Sequence, residues 1–414
     1  MNELRLLYAV HAYKPAYRVG GPVLSVASLA ERLVSRGHAV TVVTSNSNLD
    51  GDLDVPIGRP VPVEGVDVRY FRRDEPLKRW LPFVPYLSKS MGFLYSRPMQ
   101  ATLRQLALGV DAVHTHLPFV YPTLAAARAA FAAGKPLFYH QRGVFDPERL
   151  QFRGVKKRIY IQLIERPIMR RATTLIALTE AERTSYRALG VATECRVIPN
   201  GVDTRLYPAI RRPEAGARWR IPPDALVVLF LGRVHPVKGA DKLLEAFVRI
   251  APAHPRAVLV LAGPDEWQLE RRFRDSAARA GLSARVVFTG MVLGEAKQDL
   301  LARADLFALP SRGEGFSMAV LEALASGMAV LLSPGCHFPE VEEAGAGRIA
   351  PTDPARLAEA LGSLLADPAG LRTMGVRGRR LVEARYTWDA VTDRMVEVYR
   401  EGIARHAKLA GGQK

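Results

Sequence analysis

Short apolar runs alternate with longer amphipathic stretches in the first half of the chain. Leu4–Val10 and Ala39–Thr44 have the length of buried strands, and Val23–Val34 between them has helical spacing. A strand, a helix and a second strand in this order indicate a parallel βαβ unit. Further strands are predicted at Val66–Phe71, Asp111–His116, Pro136–Tyr139 and Thr174–Leu178, with a helix at Ile159–Arg171 and a last strand and turn within Arg196–Gly201.

The same alternation begins again after residues 202–224, which are rich in proline and arginine and are predicted to be a linker. The pattern thus divides the chain into an N-terminal domain, 1–201, a C-terminal domain, 225–384, and a final segment, 385–414. We predict two doubly wound α/β domains whose parallel sheets face each other across a cleft. The second domain has strands at Leu226–Leu231, Ala257–Ala262, Val286–Thr289, Ala304–Leu309 and Ala329–Leu332, and helices at Trp267–Ala280, Lys297–Arg303, Pro354–Ala366, Ala369–Ala384 and Trp388–His406.

The composition of the chain is ordinary except for its charge. The 414 residues suffice for two cores, and 48% hydrophobic with 24% charged residues is ordinary for a globular protein. The formal charge of +17 predicts an anionic partner. This partner could be nucleic acid, a phosphorylated small molecule or an acidic membrane surface. The alternative is compositional, since much of the charge is scattered arginine. The two cysteines, Cys195 and Cys336, have neither zinc-site nor disulfide-framework spacing.

The location of the protein is predicted from its apolar segments. The N-terminal apolar run is too short for a signal peptide, and no run approaches the ~18 apolar residues of a membrane span. We expect a cytoplasmic protein, with peripheral binding to the inner face of the membrane as an open alternative. Aromatic and basic residues interleave within Lys78–Leu106, which suits a membrane interface or a surface that binds an amphipathic acceptor. A helical hairpin that packs its aromatic side chains inward fits at least as well.

The stretch from Leu309 to Gly327 carries the clearest candidate chemistry. An apolar strand ends there, a glycine-containing turn follows, and a helix begins. Glu314 lies in the turn and Glu322 in the helix, and carboxylates are suited to accept hydrogen bonds from vicinal hydroxyls. The main-chain amides of Gly315–Met318 would occupy the first helical turn, where unpaired amides attract anions. The alternative is that Glu314 caps the turn and Glu322 is a solvated helix residue.

Two other glycine turns follow predicted strands. In the second domain, Gly232 opens a turn in which Arg233 and Lys238 could clamp a phosphate, although both could be surface cations. In the first domain, Gly20 and Gly21 precede a helix and would let backbone approach a ligand. Neither turn has the order of a Walker A loop or a complete dinucleotide fingerprint.

Two strands of the first domain end in polar residues. His114 and His116 alternate with Thr115 and therefore face the same side of the sheet, where they either face a ligand or are only hydrogen-bonded. His140 and Arg142 leave the next strand just before Gly143. Polar residues that leave a strand into a glycine turn are expected to point at the cleft between the domains, so His140–Gly143 is the second candidate site.

Together these motifs resemble family four of the retaining glycosyltransferases, which have the GT-B fold of two Rossmann-like domains. The resemblance rests on the GGP near the N-terminus, on GRVHPVKG, on ADLFALPSRGEGFSMAVLEALASG and on two glutamates separated by seven residues, and it covers nearly the whole chain. It implies that the final helix crosses back to the N-terminal domain. It also implies a donor site in which Glu314 and the amides of Phe316, Ser317 and Met318 hold the sugar, Glu322 holds the ribose, and Arg233 and Lys238 clamp the diphosphate, with Gly20, Gly21, Gly232 and Gly315 close by.

The resemblance further implies a mechanism. The donor would be a nucleotide sugar, UDP- or GDP-linked, and no metal ion or other cofactor is expected because the two cations neutralise the diphosphate. Transfer would keep the anomeric configuration, with the departing phosphate taking the acceptor proton. Many relatives have His-Gly where this chain has Arg142–Gly143, with His140 two residues earlier. Either His140 takes the place of that histidine near the reacting carbon, or Arg142 replaces it.

The acceptor is expected to be a saccharide or a lipid-linked saccharide, as in surface polysaccharide or glycoconjugate synthesis. Two other functions stay open on the same fold. One is a catalytically silent binding subunit of a transferase complex, which the altered histidine loop favours, and the other is a nucleotide-sugar epimerase. Nucleic-acid binding is not expected, since the chain has no module with base-reading or stacking residues.

Overall fold

The computed structural model describes residues 3–48, 51–73, 95–146, 154–265 and 267–411. The chain forms two compact units, of which the first comprises residues 1–199 and 388–414 and the second residues 200–387. The aromatic and basic segment proposed for a membrane surface, from Trp80 to Tyr95, lies outside the described residues apart from Tyr95. In the part of the chain that is described, no helix is both long and apolar enough to span a bilayer.

The first unit is built on an eight-stranded sheet with the order β3-β4-β2-β1-β5-β6-β7-β8. Neighbouring strands are parallel except β3 and β4, which confirms the predicted doubly wound sheet. Strand β3 was not predicted because two of its four residues are prolines, which strands tolerate mainly at an edge. The strands are β1 Arg5–Ala9, β2 Ala39–Ser45, β3 Pro60–Val63, β4 Val66–Phe71, β5 Ala112–His116, β6 Leu137–His140, β7 Thr174–Ala177 and β8 Cys195–Val197.

Helices cover this sheet, and the last helix of the chain belongs to the same unit. The hydroxyl of Tyr399 in that helix lies 2.6 Å from the hydroxyl of Tyr8 on β1. Gly402 packs so closely that a Cβ atom there would lie 2.6 Å from the ring of Phe138. The helices are α1 Gly21–Ser35, α2 Arg97–Leu108, α3 Tyr121–Ala132, α4 Gly154–Tyr160, α5 Arg166–Arg171, α6 Glu180–Ala188 and the C-terminal helix Trp388–Gly411.

The helix predicted at Ile159–Arg171 is interrupted. A π-helical turn, Ile161–Glu165, separates α4 from α5. Pro167 explains the irregularity, because it has no N–H to donate to the carbonyl of Leu163 and so breaks the regular α-helical ladder. The turn directs the side chain of Glu165 into the interior, where it is 1% exposed.

Glu165 is a buried carboxylate with two donors. The hydroxyl of Tyr139 donates to its Oε2 at 2.6 Å, and the amide of Phe119 donates to its Oε1 at 2.7 Å. Burial outweighs these bonds and raises the pKa of Glu165 from 4.5 to about 7. The native protein therefore keeps a proton on this group between about pH 4.5 and 7, where the unfolded chain loses it.

Stability should accordingly fall as the pH rises through this window. We expect the free energy of unfolding of the wild type, measured in urea, to fall between pH 5 and pH 8 by about 2 kcal/mol more than that of Glu165→Gln. Glu359→Gln is the matched control, since Glu359 is exposed on a helix of the second unit. An identical pH dependence in wild type and Glu165→Gln would show that Glu165 does not titrate in this range.

The second unit has a six-stranded parallel sheet with the order β11-β10-β9-β12-β13-β14, of which the first five strands in chain order were predicted and β14 was not. The order reverses between β9 and β12, and ligands of open α/β sheets bind at the carboxyl ends of such neighbouring strands. The strands are β9 Leu226–Leu231, β10 Ala257–Ala262, β11 Val286–Gly290, β12 Leu306–Leu309, β13 Ala329–Leu332 and β14 Gly347–Ile349. The helices are α7 Ala240–Ile250, α8 Glu270–Arg279, α9 Gly294–Arg303, α10 Met318–Ala325, α11 Glu340–Glu343, α12 Pro354–Leu365 and α13 Pro368–Arg385.

Residues 202–224, the stretch predicted as a linker, pack within the second unit. Arg303, which is fully buried, donates hydrogen bonds to the carbonyls of Pro222 at 2.6 Å and Ala225 at 3.0 Å. The amide of Arg212 donates to the carbonyl of Ala302 at 2.9 Å. Hydrogen bonds between its main-chain groups and Arg303 or α9 order the segment. Because main-chain hydrogen bonds require no particular side chains, the sequence of the segment shows no apolar periodicity.

Candidate functional site

Two loops meet at the carboxyl ends of β9 and β12. The amide of Arg312 donates to the carbonyl of Val237 at 2.8 Å, and the hydroxyl of Ser311 donates to the same carbonyl at 3.0 Å. Gly239 makes this approach possible, because its φ is +73° and a Cβ atom there would lie 2.1 Å from the carbonyl oxygen of Pro310. The loop after β9 is thereby fixed against the loop that carries Glu314.

Glu314 is held by Lys238, which comes from the opposite loop. The ammonium nitrogen of Lys238 lies 2.6 Å from Oε1 and 2.7 Å from Oε2 of Glu314. The side chain of Glu314 is 5% exposed and that of Lys238 is 18% exposed. A lysine ammonium has three hydrogens to donate, and two of them are taken by the carboxylate. The third can serve an anion, so the pair combines a buried acceptor with a cation that is still able to bind phosphate.

Glu322 on α10 is also buried and ion-paired. Its Oε1 receives hydrogen bonds from the ammonium of Lys297 at 2.6 Å and from the hydroxyl of Tyr207 at 3.1 Å. Its Oε2 forms no hydrogen bond with any residue that the structure describes. Burial, together with the Glu322 carboxylate, raises the pKa of Tyr207 well above its usual range, so the hydroxyl stays a donor. One carboxylate oxygen is thus fixed and the other is available.

Lys297 and Tyr207 were not predicted as site residues from the sequence. Lys297 fell in a helix with no motif, and Tyr207 fell in the predicted linker. The alternative in which Glu322 is a solvated helix residue is wrong, because Glu322 is 4% exposed. Glu314, likewise, is buried in an ion pair. A single sequence does not show that residues so far apart along the chain form an ion pair or a hydrogen bond.

The remaining residues predicted for this site occupy the same edge of the second unit. Phe316 is buried against Phe338 and Tyr386, with ring centroids 4.9 and 5.5 Å away, and its carbonyl accepts a hydrogen bond from Asn200 at 3.0 Å. Gly315 is buried, Ser317 is the N-cap residue of α10, and Met318 is its first residue. The amide of Gly232 is bonded to the carbonyl of Ala262, and Arg233 beside it is exposed.

The second predicted site lies in the first unit, where its residues His140 and Arg142 form a buried cluster with two histidines of β5. His114 and His116 on β5 have ring centroids 4.0 Å apart, which confirms that they face the same side. His140 on β6 lies opposite His116 in the sheet register, and its ring centroid is 5.7 Å from both other imidazoles. Arg142 donates from Nε to Nδ1 of His116 at 3.2 Å. The structure therefore brings together His140 and Arg142, the two residues that the sequence left as alternatives.

Burial controls the charges of this cluster. It lowers the pKa of all three histidines well below 6.5, with Arg142 as a further cause, so they are neutral. It lowers the pKa of Arg142 to about 10, which still leaves the guanidinium charged at neutral pH. Both ring nitrogens of His140 lack a hydrogen-bond partner within the described part of the chain. The cluster therefore offers one cation and neutral imidazoles that can exchange hydrogen bonds with hydroxyl groups.

Gly20 and Gly21 are connected to this cluster through α1. Gly20 has a φ of +101° and is the N-cap residue of α1, which begins at Gly21. Ser25 in the same helix accepts a hydrogen bond from Nη1 of Arg142 at 2.8 Å. The glycine pair thus starts the helix that positions Arg142, whose own φ of +51° is rare for a residue with a side chain.

The three histidines are also the candidate metal ligands among the described residues, with ligand atoms within 4.8 Å of one another. Their hydrogen bonds do not suit a divalent cation. Because Arg142 donates to Nδ1 of His116, neutral His116 carries its proton on Nε2, the nitrogen that a metal would need. The guanidinium also repels a cation, and no described carboxylate belongs to the cluster. The donor set fits an anion or hydroxyl groups better than a metal.

Both halves of the chain are similar to known protein families. Residues 20–201 match the family model of the glycosyl transferase 4-like domain, and residues 211–381 match that of glycosyl transferases group 1. The chain is 33% identical over 257 residues to D-inositol 3-phosphate glycosyltransferase of Streptomyces bingchenggensis, a match that covers 59% of this chain and 56% of that protein. The chain thus spans little more than half the length of that relative.

Two further similarities run over nearly the full length. Phosphatidyl-myo-inositol mannosyltransferase of Mycobacterium tuberculosis is 27% identical, with 94% of this chain and 95% of that protein covered. The structure of Anabaena HepE in complex with UDP-glucose is 20% identical with a TM-score of 0.73 and covers 96% of this chain and 100% of that one. The last likeness confirms the GT-B fold. Since the two matched domains together span most of the sequence, the chain belongs to the GT-B glycosyltransferases of group 1.

Proposed function

We propose that this protein transfers a sugar from a nucleotide-sugar donor, UDP- or GDP-linked, to a hydroxyl of a saccharide or lipid-linked saccharide acceptor. The observation that carries the proposal is the pair of buried carboxylates, Glu314 and Glu322, each held by a lysine at the ligand-binding edge of the second sheet. A buried carboxylate needs partners, and vicinal hydroxyls of ribose and sugar are suitable ones.

Each group of the second unit has a place in donor binding. The available Oε2 of Glu322 would accept hydrogen bonds from the ribose hydroxyls. Glu314 and the amides at the start of α10 would hold the sugar. Lys238, through its third hydrogen, and Arg233 at the exposed end of β9 would bind the diphosphate. No other cofactor is required, because these cations supply the charge that a metal ion would otherwise provide.

The same cations support the chemistry. Negative charge grows on the diphosphate as its bond to the sugar breaks, and a preorganised cation stabilises that charge more in the transition state than in the ground state. We propose that the departing phosphate oxygen accepts the proton of the acceptor hydroxyl on the same face of the sugar, which retains the anomeric configuration. In the first unit, His140 and Arg142 would orient hydroxyl groups of the acceptor.

The relatives support a polyol acceptor. The names of the Streptomyces and Mycobacterium proteins describe transfer to inositol 3-phosphate and to phosphatidyl-myo-inositol, one of them a lipid. HepE binds UDP-glucose, which supports a UDP-linked donor. The formal charge of +17 suits a lipid-linked acceptor at an anionic membrane surface on the cytoplasmic side, and sedimentation with anionic vesicles tests that association.

Product analysis tests the proposed function. The protein is incubated with UDP- or GDP-sugars and inositol-containing or saccharide acceptors in buffer with EDTA, and the product is examined by NMR. We expect a new glycosidic bond with the anomeric configuration of the donor and a yield that EDTA does not change. Nucleotide binding without any transfer would favour the silent binding subunit instead, and a changed sugar still attached to the nucleotide would favour the epimerase.

A further inference from the structure

A cavity of about 450 Å³ lies at the amino edge of the sheet in the second unit. Its wall includes Leu226 at the start of β9, Asp305 just before β12 and Met328 just before β13. Glu314 and Glu322 follow the opposite, carboxyl end of β12. The cavity is therefore separate from the donor site, and its volume is within the range of small-molecule sites, roughly 300 to 1,000 Å³.

The floor of the cavity is apolar. Leu301, Met328 and Leu371 line it and are buried. At its mouth, Ile210 and Val376 are 62% and 53% exposed, which is a large exposure for aliphatic side chains. Binding of an apolar group in such an opening is favourable, because the apolar surfaces of the ligand and of the cavity are both removed from water.

The charged residues of the wall leave an excess of positive charge. Arg211 pairs with Asp305 at 2.7 Å, and Arg379 pairs with Glu383 at 2.8 Å, so these four charges cancel. Two more arginines of the wall, Arg372 and Arg380 on α13, are exposed and form no ion pair with any residue in the described ranges. The cavity thus combines an apolar floor with two guanidinium groups, the side chain best suited to bidentate recognition of phosphate.

Arg380 also borders a second cavity, of about 370 Å³, whose wall contains Glu340 and Glu343. Those carboxylates reduce the positive charge on that side of α13. Arg372 does not line the second cavity. The larger cavity is therefore the better anion site, because Arg372 and Arg380 both line it.

We propose that the larger cavity binds an amphipathic phosphate, that is, a phosphate monoester or diphosphate with an apolar chain. The apolar chain would contact Leu301, Met328 and Leu371, and the phosphate would bind Arg372 and Arg380. Such a ligand could be a lipid headgroup in a membrane or a dissolved molecule.

Hydrogen bonds connect this cavity with Glu322. Arg379, in the wall, donates from Nη1 to the carbonyl of Tyr207 at 2.6 Å, and it also donates to the carbonyl of Ala325. The hydroxyl of Tyr207 in turn donates to Glu322. A phosphate that attracts Arg379 would therefore change the position of Tyr207 and the affinity of Glu322 for the donor. This consequence, unlike binding itself, rests on the proposed function.

Calorimetric titration with octyl phosphate below its micellar concentration tests binding. We expect the wild type to bind it at least tenfold more tightly than inorganic phosphate. The double variant Arg372→Ala/Arg380→Ala should bind octyl phosphate about tenfold or more weakly, and so should Val376→Asp, which places a negative charge at the exposed mouth. Arg356→Ala, an exposed arginine on α12 of the same unit, is the control and should bind as the wild type does. Equal affinity in all variants, or no binding by the wild type, would overturn the proposal.

A vesicle arm separates the two sources of the ligand. The protein is sedimented with phosphatidylcholine vesicles that do or do not contain phosphatidic acid, at low and high salt. Co-sedimentation that requires phosphatidic acid and is lost in the double variant identifies a membrane lipid, whereas octyl phosphate binding without co-sedimentation identifies a dissolved ligand. Donor affinity is measured in parallel with and without octyl phosphate. If octyl phosphate binds and no nucleotide sugar does, the proposed function fails while the cavity site stands.

Discussion

Replacing Lys238 with methionine is expected to lower kcat/KM for sugar transfer about 10²- to 10³-fold, the loss seen when one preorganised donor is removed from a developing negative charge. Lys238 is the cation fixed by the loop contact at Gly239, and its ammonium holds both oxygens of Glu314. Methionine keeps the length and most of the volume of the side chain and removes only the charge. Steady-state kinetics measures the effect, and Lys242→Met, at a lysine paired with Glu245 on α7, is the control.

A loss of stability could produce the same kinetic result, so a second variant separates the two causes. Without Lys238, the buried carboxylate of Glu314 would lose its lysine partner, and breaking a buried ion pair typically costs about 3 to 5 kcal/mol. Lys238→Met/Glu314→Gln removes both charges and should recover most of the stability, as measured by urea unfolding, while transfer stays impaired. If the double variant regained the wild-type rate, Lys238 would have only a structural role.

Glu322→Gln is the second change for which we expect a large effect, about a 100-fold loss of donor affinity, because two charge-assisted hydrogen bonds to ribose are replaced by weaker ones. Lys297→Met should lose about tenfold, since it removes the stronger of the two donors that fix Oε1. Glu359→Gln on α12 is the matched control and should bind like the wild type.

A comparison with 2′-deoxynucleotide sugars distinguishes ribose recognition from a general structural effect. The wild type should bind the 2′-deoxy donor more weakly than the ribose donor, because Glu322 then has one hydroxyl fewer to bind. Glu322→Gln should bind the two donors with nearly the same affinity. If the variant kept the full preference for ribose, another residue would recognise the 2′-hydroxyl, and the role assigned to Glu322 would be wrong.

The two sheets could be predicted because their strands are buried on both faces and appear in the sequence as continuous apolar runs. Leu226–Leu231 and Ala257–Ala262 match the strands of the structure to the residue. The elements that escaped prediction have other determinants. Strand β3 lies at the edge of its sheet, and its sequence has little apolar pattern. The π-helical turn follows from Pro167, and residues 202–224 are ordered by hydrogen bonds between their main chain and Arg303.

The site was predictable only where its residues are close together in sequence. Glu314 and Glu322 lie on one strand-turn-helix stretch, and glycines mark the turn that carries Lys238. Lys297 and Tyr207 could not be found, because the folded chain brings them to Glu322 from segments 25 and 115 residues away. In the same way, the sequence offered His140 and Arg142 as alternatives, whereas the sheet register places them in one cluster with His114 and His116.

The nucleotide-sugar site is tested most directly by a calorimetric titration of the wild-type protein and Glu322→Gln with UDP-, GDP- and ADP-sugars. We predict that the wild type binds UDP- or GDP-sugars with a stoichiometry of about one and that the variant binds about 100-fold more weakly. Binding of no nucleotide sugar by the wild type, or equal binding by the variant, would contradict the claim that the buried glutamates of the second unit form a nucleotide-sugar site.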